Sequence, residues 1–307
     1  LKEERRLEEA NRSLCKATAI DTTFAPAWVE NGHVLLSMGK YEDSLRCFDF
    51  AINNDNTNDE AWVGKGVLVA AYGEYDKAVQ MYQNALQVNP RNAEAYFQMG
   101  VIREASEDFN GALESFNHAT SLKSNHEAAW VSKGTTLESL GRYEEALDSY
   151  DRAIQLNDSN VDAWLNKGIC LINMEQYPAA ESVLQRAVEI DEGNPMVWHN
   201  LGLSKDYQGK HEAALEHYDA AIEINPDFAI AYFDKGVTLF FLDKKVSAVT
   251  QFQKAMELDP YNVEAPVYLA KIFAAQDQRD QARELYQRAL AMDPNHEEAK
   301  KGLDELG

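Results

Sequence analysis

The chain has 307 residues, of which 45% are hydrophobic and 26% are charged, and its formal net charge at pH 7 is −22. So acidic a chain repels phosphate backbones and anionic lipid, which argues against nucleic-acid or membrane binding and favours basic peptides or helices as partners. No apolar run reaches the length of about 18 residues that a transmembrane helix needs, so none is expected.

The first predicted element is a single helix in residues 1–24. Its apolar residues at helical spacing are Ala10, Leu14 and Ala17, and such spacing predicts one apolar helix face. No helix-length stretch precedes it, so Leu7, Leu14 and Ile20 are expected to lack a partner helix. We interpret this segment as a partial repeat (second helix only): a piece of a longer array, or an end that docks on another chain.

From residue 25 the sequence repeats itself every 34 residues. The fourth position of the period is tryptophan or tyrosine at Trp28, Trp62, Tyr96, Trp130, Trp164, Trp198 and Tyr232. The eighth position is glycine at Gly32, Gly66, Gly100, Gly134, Gly168, Gly202 and Gly236. The eight units of this period are 25–58, 59–92, 93–126, 127–160, 161–194, 195–228, 229–262 and 263–296. A period of this length indicates an array of one supersecondary unit.

Each unit is predicted to form two antiparallel helices. Apolar residues at i, i+3, i+4 and i+7 mark two helix-length stretches, and in four units a glycine suited to a left-handed helix end separates them. These glycines are Gly39, Gly73, Gly141 and Gly209. Small residues at positions 8, 20 and 27 let the two helices approach closely. One unit alone cannot bury its apolar face, so the units are expected to stack.

The last predicted element is a short helix in residues 297–307. Lys300, Lys301 and Asp304 stand where an internal unit would carry packing residues. An open array needs a polar outer face at its end, so we expect this segment to be a C-terminal capping helix.

The repeated pattern resembles the tetratricopeptide repeat (TPR) family. An aromatic residue at position 4, glycine at 8, alanine at 20 and 27, an aromatic residue at 24 and proline at 32 recur through residues 25–296. The resemblance implies an all-α fold, a right-handed α-solenoid (superhelix) of stacked antiparallel helix pairs. It also implies a protein–protein interaction scaffold or adaptor that binds a peptide or helix of a partner in its concave groove.

No motif for catalysis or for a cofactor stands out. The chain has no HExxH pair, phosphate-binding loop or dinucleotide-binding glycine motif, and we assign its seven histidines to unrelated repeat positions. Cys15, Cys47 and Cys170 are too far apart to suggest a zinc or disulfide framework, which favours a reducing compartment and a cytoplasmic location. We expect no enzymatic activity, no cofactor and no metal.

The resemblance also implies which positions of the first helix line the groove. One device of the family, a clamp for the carboxylate of chaperone tails, needs lysine at position 5 with asparagine at position 9. No unit has that pair, so a carboxylate-clamp chaperone adaptor is not expected. A second device is a ladder of asparagines at position 6 that grips a peptide backbone, and here Asn166 and Asn200, with Asn173 nearby, would form it.

The predicted binding surface is an apolar stripe with an acidic rim in the C-terminal units. Its residues are Leu165, Asn166, Ile169, Asn173, Asn200, Leu203, Tyr207, Phe233, Asp234, Val237, Phe240, Phe241 and Tyr268. Some of them, Phe240 and Phe241 in particular, would instead pack between repeats if the stripe is part of the core. Apolar anchors beside Asp206, Asp234 and Glu264 suit a basic or amphipathic protein segment.

Two other functions fit the same sequence. The incomplete first repeat fits a substrate-recruiting arm of a larger enzyme, such as a glycosyltransferase or methyltransferase. It also fits a structural protein that associates with itself, as a homodimer that buries Leu7, Leu14 and Ile20.

Overall fold

Two compact helical units form the structure, a computed structural model that describes residues 2–307. The chain divides between Asn157 and Asp158. The described residues form eighteen α-helices and no β-strand. The predicted all-α fold class is therefore confirmed.

The helices follow the period of the sequence. In the first unit they are α1 Lys2–Ile20, α2 Ala25–Ser37, α3 Tyr41–Asn54, α4 Asp59–Ala71, α5 Tyr75–Val88, α6 Ala93–Ala105, α7 Phe109–Leu122, α8 Glu127–Ser139 and α9 Tyr143–Leu156. In the second they are α10 Val161–Asn173, α11 Tyr177–Ile190, α12 Pro195–Asp206, α13 His211–Ile224, α14 Ala229–Phe241, α15 Lys245–Leu258, α16 Glu264–Ala275, α17 Arg279–Met292 and α18 Glu297–Leu306. The even-numbered helices from α2 to α16 are the first helices of the eight repeats.

Within each unit, every helix packs against the next one along the chain. The two helices of one repeat, such as α2 with α3 or α12 with α13, share the most extensive contacts. First helices of successive repeats also contact each other; examples are the pair α4 and α6 and the pair α12 and α14. The first helices thus lie side by side, and the groove prediction concerns the face that they form.

The tryptophans recur because each makes the same hydrogen bond. The indole Nε1–H donates to the backbone oxygen six residues earlier, over 2.9–3.0 Å in all five cases. The pairs are Trp28 with Thr22, Trp62 with Asn56, Trp130 with Ser124, Trp164 with Asp158, and Trp198 with Glu192. Each bond ties a first helix to the loop before it, so a half-buried indole has its polar atom satisfied.

The glycines at position 8 make room for the side chain at position 24. A Cβ atom on Gly236 would lie 2.7 Å from Cε1 of Phe252, well inside the ordinary carbon–carbon contact of about 3.5–4.0 Å. The position-24 side chains Phe48, Tyr82, Phe116, Tyr150, Leu184, Tyr218 and Phe252 are fully buried. The close approach of the two helices thus depends on glycine.

A left-handed residue ends the first helix of all eight repeats. Four of these residues are the predicted glycines, with φ between 70° and 79°. The other four are Glu107, Glu175, Asp243 and Asp277, with φ between 58° and 61°. The sequence did not predict these four, because glutamate and aspartate are much weaker signals for a positive φ than glycine.

An asparagine or histidine caps the start of most first helices and of α18. The side chains of Asn58, Asn92, His126, Asn160, Asn262 and His296 each accept the backbone N–H three residues later. All six stand at the last position of the 34-residue period. The assignment of the histidines to unrelated positions was therefore wrong for His126 and His296, which have the same structural role.

No helix among the described residues has both the length and the apolar character required to cross a bilayer.

Candidate functional site

The predicted surface residues lie on α10, α12, α14 and α16, or in the case of Tyr207 directly after α12, all in the second unit. Leu165 is only 8% exposed and Asn200 only 7%. The Asn200 Nδ2 already donates to the backbone oxygen of Met196 over 2.8 Å. Neither Leu165, at position 5 of its repeat, nor Asn200, at position 6 of the next repeat, offers much surface to a ligand.

The other predicted residues are at least partly open to solvent. Three are exposed: Asn173, Tyr207 and Phe241. Eight are half-buried: Asn166, Ile169, Leu203, Phe233, Asp234, Val237, Phe240 and Tyr268. The half-buried apolar residues of this set thus pack partly against the protein and are partly open to solvent.

Three aromatic side chains, Phe233, Phe240 and Tyr268, form a cluster between α14 and α16. The Tyr268 ring lies edge-on to Phe233, with centroids 6.0 Å apart, and to Phe240, at 5.4 Å. Tyr268 also stacks on Phe252, which is fully buried, at 5.3 Å. The cluster is therefore anchored on the core of the unit and is not a set of loose surface side chains.

Phe241 extends the cluster into solvent. Its ring lies 5.6 Å from that of Phe240, edge to face, and the residue is 68% exposed. The sequence left open whether Phe240 and Phe241 pack in the core. The structure divides them, since Phe240 packs against Tyr268 and Phe241 does not join the core.

A second exposed aromatic residue, Tyr207, follows the end of α12. It is 58% exposed and stacks on Tyr177, with ring centroids 5.0 Å apart. Partial burial raises the pKa of the Tyr207 phenol, and the charges of Asp234, Tyr177 and Asp206 raise it further. The phenol therefore stays neutral at pH 7, in part because of the charges of Asp234 and Asp206.

Those two carboxylates are held by neighbouring side chains. His199 Nε2 lies 2.6 Å from Asp234 Oδ2, and His211 Nδ1 lies 2.6 Å from Asp206 Oδ1. Thr238 Oγ1 donates to Asp206 Oδ2 over 2.9 Å. Because a carboxylate can only accept, each histidine carries its proton on the nitrogen that faces the aspartate. Both aspartate side chains are only 20% exposed, so their orientation is fixed.

Sequence reasoning did not assign His199, His211 or Thr238 to the site. His199 lies 35 residues before Asp234 and Thr238 lies 32 after Asp206, so each link joins one repeat to the next. In the sequence, only the separation of these partners by about one 34-residue period could have indicated that they meet.

The remaining ionic groups near the cluster are paired. Lys271 on α16 lies 4.9 Å from the centre of the Tyr268 ring and pairs with Glu298. That pairing lowers the pKa of Glu298. Glu264 pairs with His296 Nε2 over 2.9 Å. Lys271 is thus engaged within the protein.

The N-terminal residues predicted for self-association have unequal exposure. Ile20 is 87% exposed, whereas Leu7 and Leu14 are half-buried. Helix α1 contacts α2.

No group of three or more potential metal ligands occurs among residues 2–307. All three cysteines are free thiols: Cys15 is exposed, and Cys47 and Cys170 are buried. Burial, above all, raises the pKa of the Cys47 thiol to about 11. Cys47 is consequently protonated at neutral pH and is a poor nucleophile.

Sequence profiles of the tetratricopeptide repeat match most of the chain. The matched residues are 29–83, 93–126, 137–201, 195–228, 229–262 and 246–306, and a profile described as TPR repeat matches 70–107. A comparison with curated protein sequences gives no match.

Several solved structures are similar. YrrB, described as a TPR protein with an unusual peptide-binding site, is 28% identical with a TM-score of 0.53, over 61% of this chain and 97% of YrrB. A tetratricopeptide repeat protein from Parabacteroides merdae is 20% identical with a TM-score of 0.65, over 81% of this chain and 98% of that one. The APC/C hetero-tetramer Cut9–Hcn1 is 15% identical with a TM-score of 0.65, over 96% of this chain and 58% of that one. The last two likenesses concern the fold alone.

Proposed function

The chain belongs to the tetratricopeptide repeat family, and from this premise we propose that it is a non-catalytic interaction scaffold. Its second unit would bind a peptide or helix of a partner protein on the face formed by α10, α12, α14 and α16. TPR repeats support an interaction scaffold in general. The location of the surface and the chemistry of the partner are the specific parts of the proposal.

The observation that carries it is the exposed end of the aromatic cluster. Phe241 is 68% exposed on an anchored base of Phe240 and Tyr268. Single exposed apolar residues are common on protein surfaces, but aromatic residues held in a fixed geometry are typical anchors of binding interfaces. Phe241 would enter the apolar side of a bound segment.

The acidic rim defines the polar side of that segment. Asp206, Asp234 and Glu264 flank the aromatic residues and pair with histidines, and the whole chain has a net charge of −22. An amphipathic segment with lysine or arginine beside its apolar residues matches both features. Charge attraction would speed association, and apolar contacts would supply most of the affinity.

YrrB adds support from outside the chain. It is described as having a peptide-binding site and is 28% identical over 61% of this chain. A peptide is therefore the first class of ligand to test.

The test is selection of a phage-displayed library of random peptides on the immobilised protein, followed by titration of the selected peptides. Phe241→Ala should weaken them about tenfold or more, the effect typical of an interface anchor. The matched control is Tyr261→Ala, because Tyr261 is 85% exposed and lies in the loop before α16. Phe233→Ala and Phe240→Ala should act similarly, with circular dichroism as a check on folding. Undiminished affinity in Phe241→Ala with intact helicity would contradict the assignment of this surface.

A further inference from the structure

Four of the first helices carry a lysine at position 7 of the repeat, directly before the position-8 glycine. These lysines are Lys65, Lys133, Lys167 and Lys235. In three of the four cases an aspartate stands sixteen residues earlier, namely Asp49, Asp151 and Asp219. The residue at that offset from Lys133 is Asn117. We propose that Lys133 is a site of covalent modification, at which an acyl phosphate transfers its acyl group to Nζ; this inference does not depend on the proposed binding function.

An aspartate at this offset binds the lysine. Lys65 Nζ lies 2.7 Å from Asp49 Oδ1, and Lys235 Nζ donates to Asp219 Oδ1. A carboxylate at hydrogen-bond distance stabilises the charged ammonium, which has no free electron pair with which to attack a carbonyl group. The aspartate thus holds its lysine in the unreactive form.

Lys133 matches these two lysines in burial and position but lacks their partner. All three residues are half-buried, and each follows an aromatic residue of its own helix by three positions, at Trp62, Trp130 or Tyr232. Within the described part of the chain, the Lys133 side chain forms no ion pair and no hydrogen bond, and its Nζ lies 5.0 Å from the centre of the Trp130 ring. A ring attracts an ammonium more weakly than a carboxylate at hydrogen-bond distance does. Trp130 therefore positions the amine without taking the place of the aspartate.

The carboxylate whose charge does act on Lys133 is bound to another cation. Arg142 Nε and Nη2 donate to the two carboxylate oxygens of Glu145, each over 2.7 Å. Burial, above all, lowers the pKa of the Lys133 ammonium, while the charge of Glu145 raises it and that of Arg142 lowers it. At a given pH, a larger share of Lys133 is therefore neutral amine than for an ordinary lysine.

The modification needs only the amine and the acyl donor. The electron pair of the neutral Lys133 Nζ attacks the carbonyl carbon of the acyl phosphate, so that a C–N bond forms and the C–O bond to the phosphate breaks. Inorganic phosphate leaves with the electron pair of that bond, and the proton of the amine passes to water. A small donor such as an acyl phosphate suits an amine that is only partly open to solvent. The amide product carries no charge, so the contact of a cation with the Trp130 ring is lost.

The experiment measures the acylation rate of each lysine in the folded 307-residue chain, with acetyl phosphate as the donor. After limited reaction the protein is denatured, its remaining amines are blocked with deuterated acetic anhydride, and mass spectrometry of the peptides gives the extent of reaction at each lysine. At a pH of about 8, Lys133 should react about three- to tenfold faster than Lys65 and Lys235. In the chain denatured by guanidinium the three rates should be similar. A rate at Lys133 no higher than those of the two paired lysines in the folded protein would overturn the proposal.

Two substitutions exchange the environments of the lysines. Asn117→Asp supplies Lys133 with the missing carboxylate and should slow its acylation to about the rate of Lys65, while the rate at Lys235 stays the same. Asp219→Asn removes the partner of Lys235 and should speed its acylation by about the factor that separates it from Lys133. Unchanged rates in variants whose circular dichroism is that of the wild type would show that pairing does not control the reaction, and the proposal would be wrong. The wild-type comparison needs no variant, so it decides the matter even where a substitution prevents folding.

Discussion

The ring of Tyr218 lies on Gly202, so that a Cβ atom at position 202 would be 2.7 Å from Cε1 of the ring. Gly202→Ala would gain about 1 kcal/mol from helix propensity, but overpacking a fully buried ring costs about 1–3 kcal/mol. We expect a net loss of up to about 2 kcal/mol in urea denaturation. In a Tyr218→Ala background, Gly202→Ala should leave the free energy of unfolding unchanged or raise it. Equal cost in both backgrounds would show that the ring is not the reason for the glycine.

At the left-handed residue Glu175, we expect the introduction of glycine to stabilise the protein. A residue with a Cβ atom destabilises the folded state by about 1–2 kcal/mol in the left-handed region. Glycine avoids that cost, but it stabilises the unfolded state by about 0.4–1 kcal/mol because its unfolded chain has more conformational entropy. Glu175→Gly should therefore raise stability by a few tenths to about 1 kcal/mol, measured as the shift of the urea midpoint. Gly209→Ala is the matched reverse substitution in the next repeat and should destabilise. A lower midpoint for Glu175→Gly would contradict the strain argument.

A buried amide at Asn31 is a weak point of the first unit. The residue is 3% exposed, its Nδ2 contacts only the sulfur atoms of Cys15 and Cys47, and its Oδ1 has no hydrogen-bond partner. Leaving a buried polar group unsatisfied costs about 1–3 kcal/mol. Asn31→Leu should stabilise the protein by about 1 kcal/mol, since leucine fills the same repeat position at Leu201. Asn31→Ala, which removes the amide but leaves space, should be less stable than Asn31→Leu in thermal denaturation.

Because of Glu181, the stability of the protein should fall at acid pH. Hydrogen bonds from Lys205 and Lys210, over 2.6 and 2.8 Å, lower the pKa of Glu181 from 4.5 to about 2. A carboxyl whose pKa is depressed in the folded state contributes its stability above the unfolded-state pKa of about 4.3 and loses it as the pH falls towards 2. Glu181→Gln should therefore be less stable by about 2 kcal/mol at pH 7, and the gap should close between pH 5 and pH 2. Glu189→Gln, at an exposed pair with Arg186, is the control and should show a gap of only a few tenths of a kcal/mol.

The period of the sequence determines the repeat, because the contacts that build it recur at fixed offsets. Trp130 with Ser124, and Gly202 with Tyr218, are pairs of residues within one repeat or its preceding loop. Any chain that keeps these residues at a spacing of 34 positions repeats the same contacts. The helix pairs and their core could therefore be predicted without a structure.

The surface was less predictable, because it depends on contacts between repeats. Asn200 was expected to face a bound peptide, but its amide bonds to Met196 in its own helix. His199 meets Asp234 only after two first helices pack side by side. Glu107 and Glu175 adopt a left-handed conformation that glycine has in the same place of other repeats, and only alignment of the turns would have revealed it.

The capping side chains do more than begin their own helices. Asn92 Nδ2 donates to Asp59 Oδ2 over 2.7 Å, and His126 Nε2 lies 3.2 Å from Glu94 Oε2. Each of these residues thus joins the first turn of one repeat to the first turn of the repeat before it. The free energy of a repeat therefore includes a term shared with its neighbour, which is the condition for cooperative unfolding in a one-dimensional array. Phe228 starts α14 without a side-chain cap, and its ring instead lies 5.5 Å from that of His199 in the repeat before it. At this junction an aromatic contact therefore takes the place of the polar bond, and the coupling of the two repeats there depends on apolar packing.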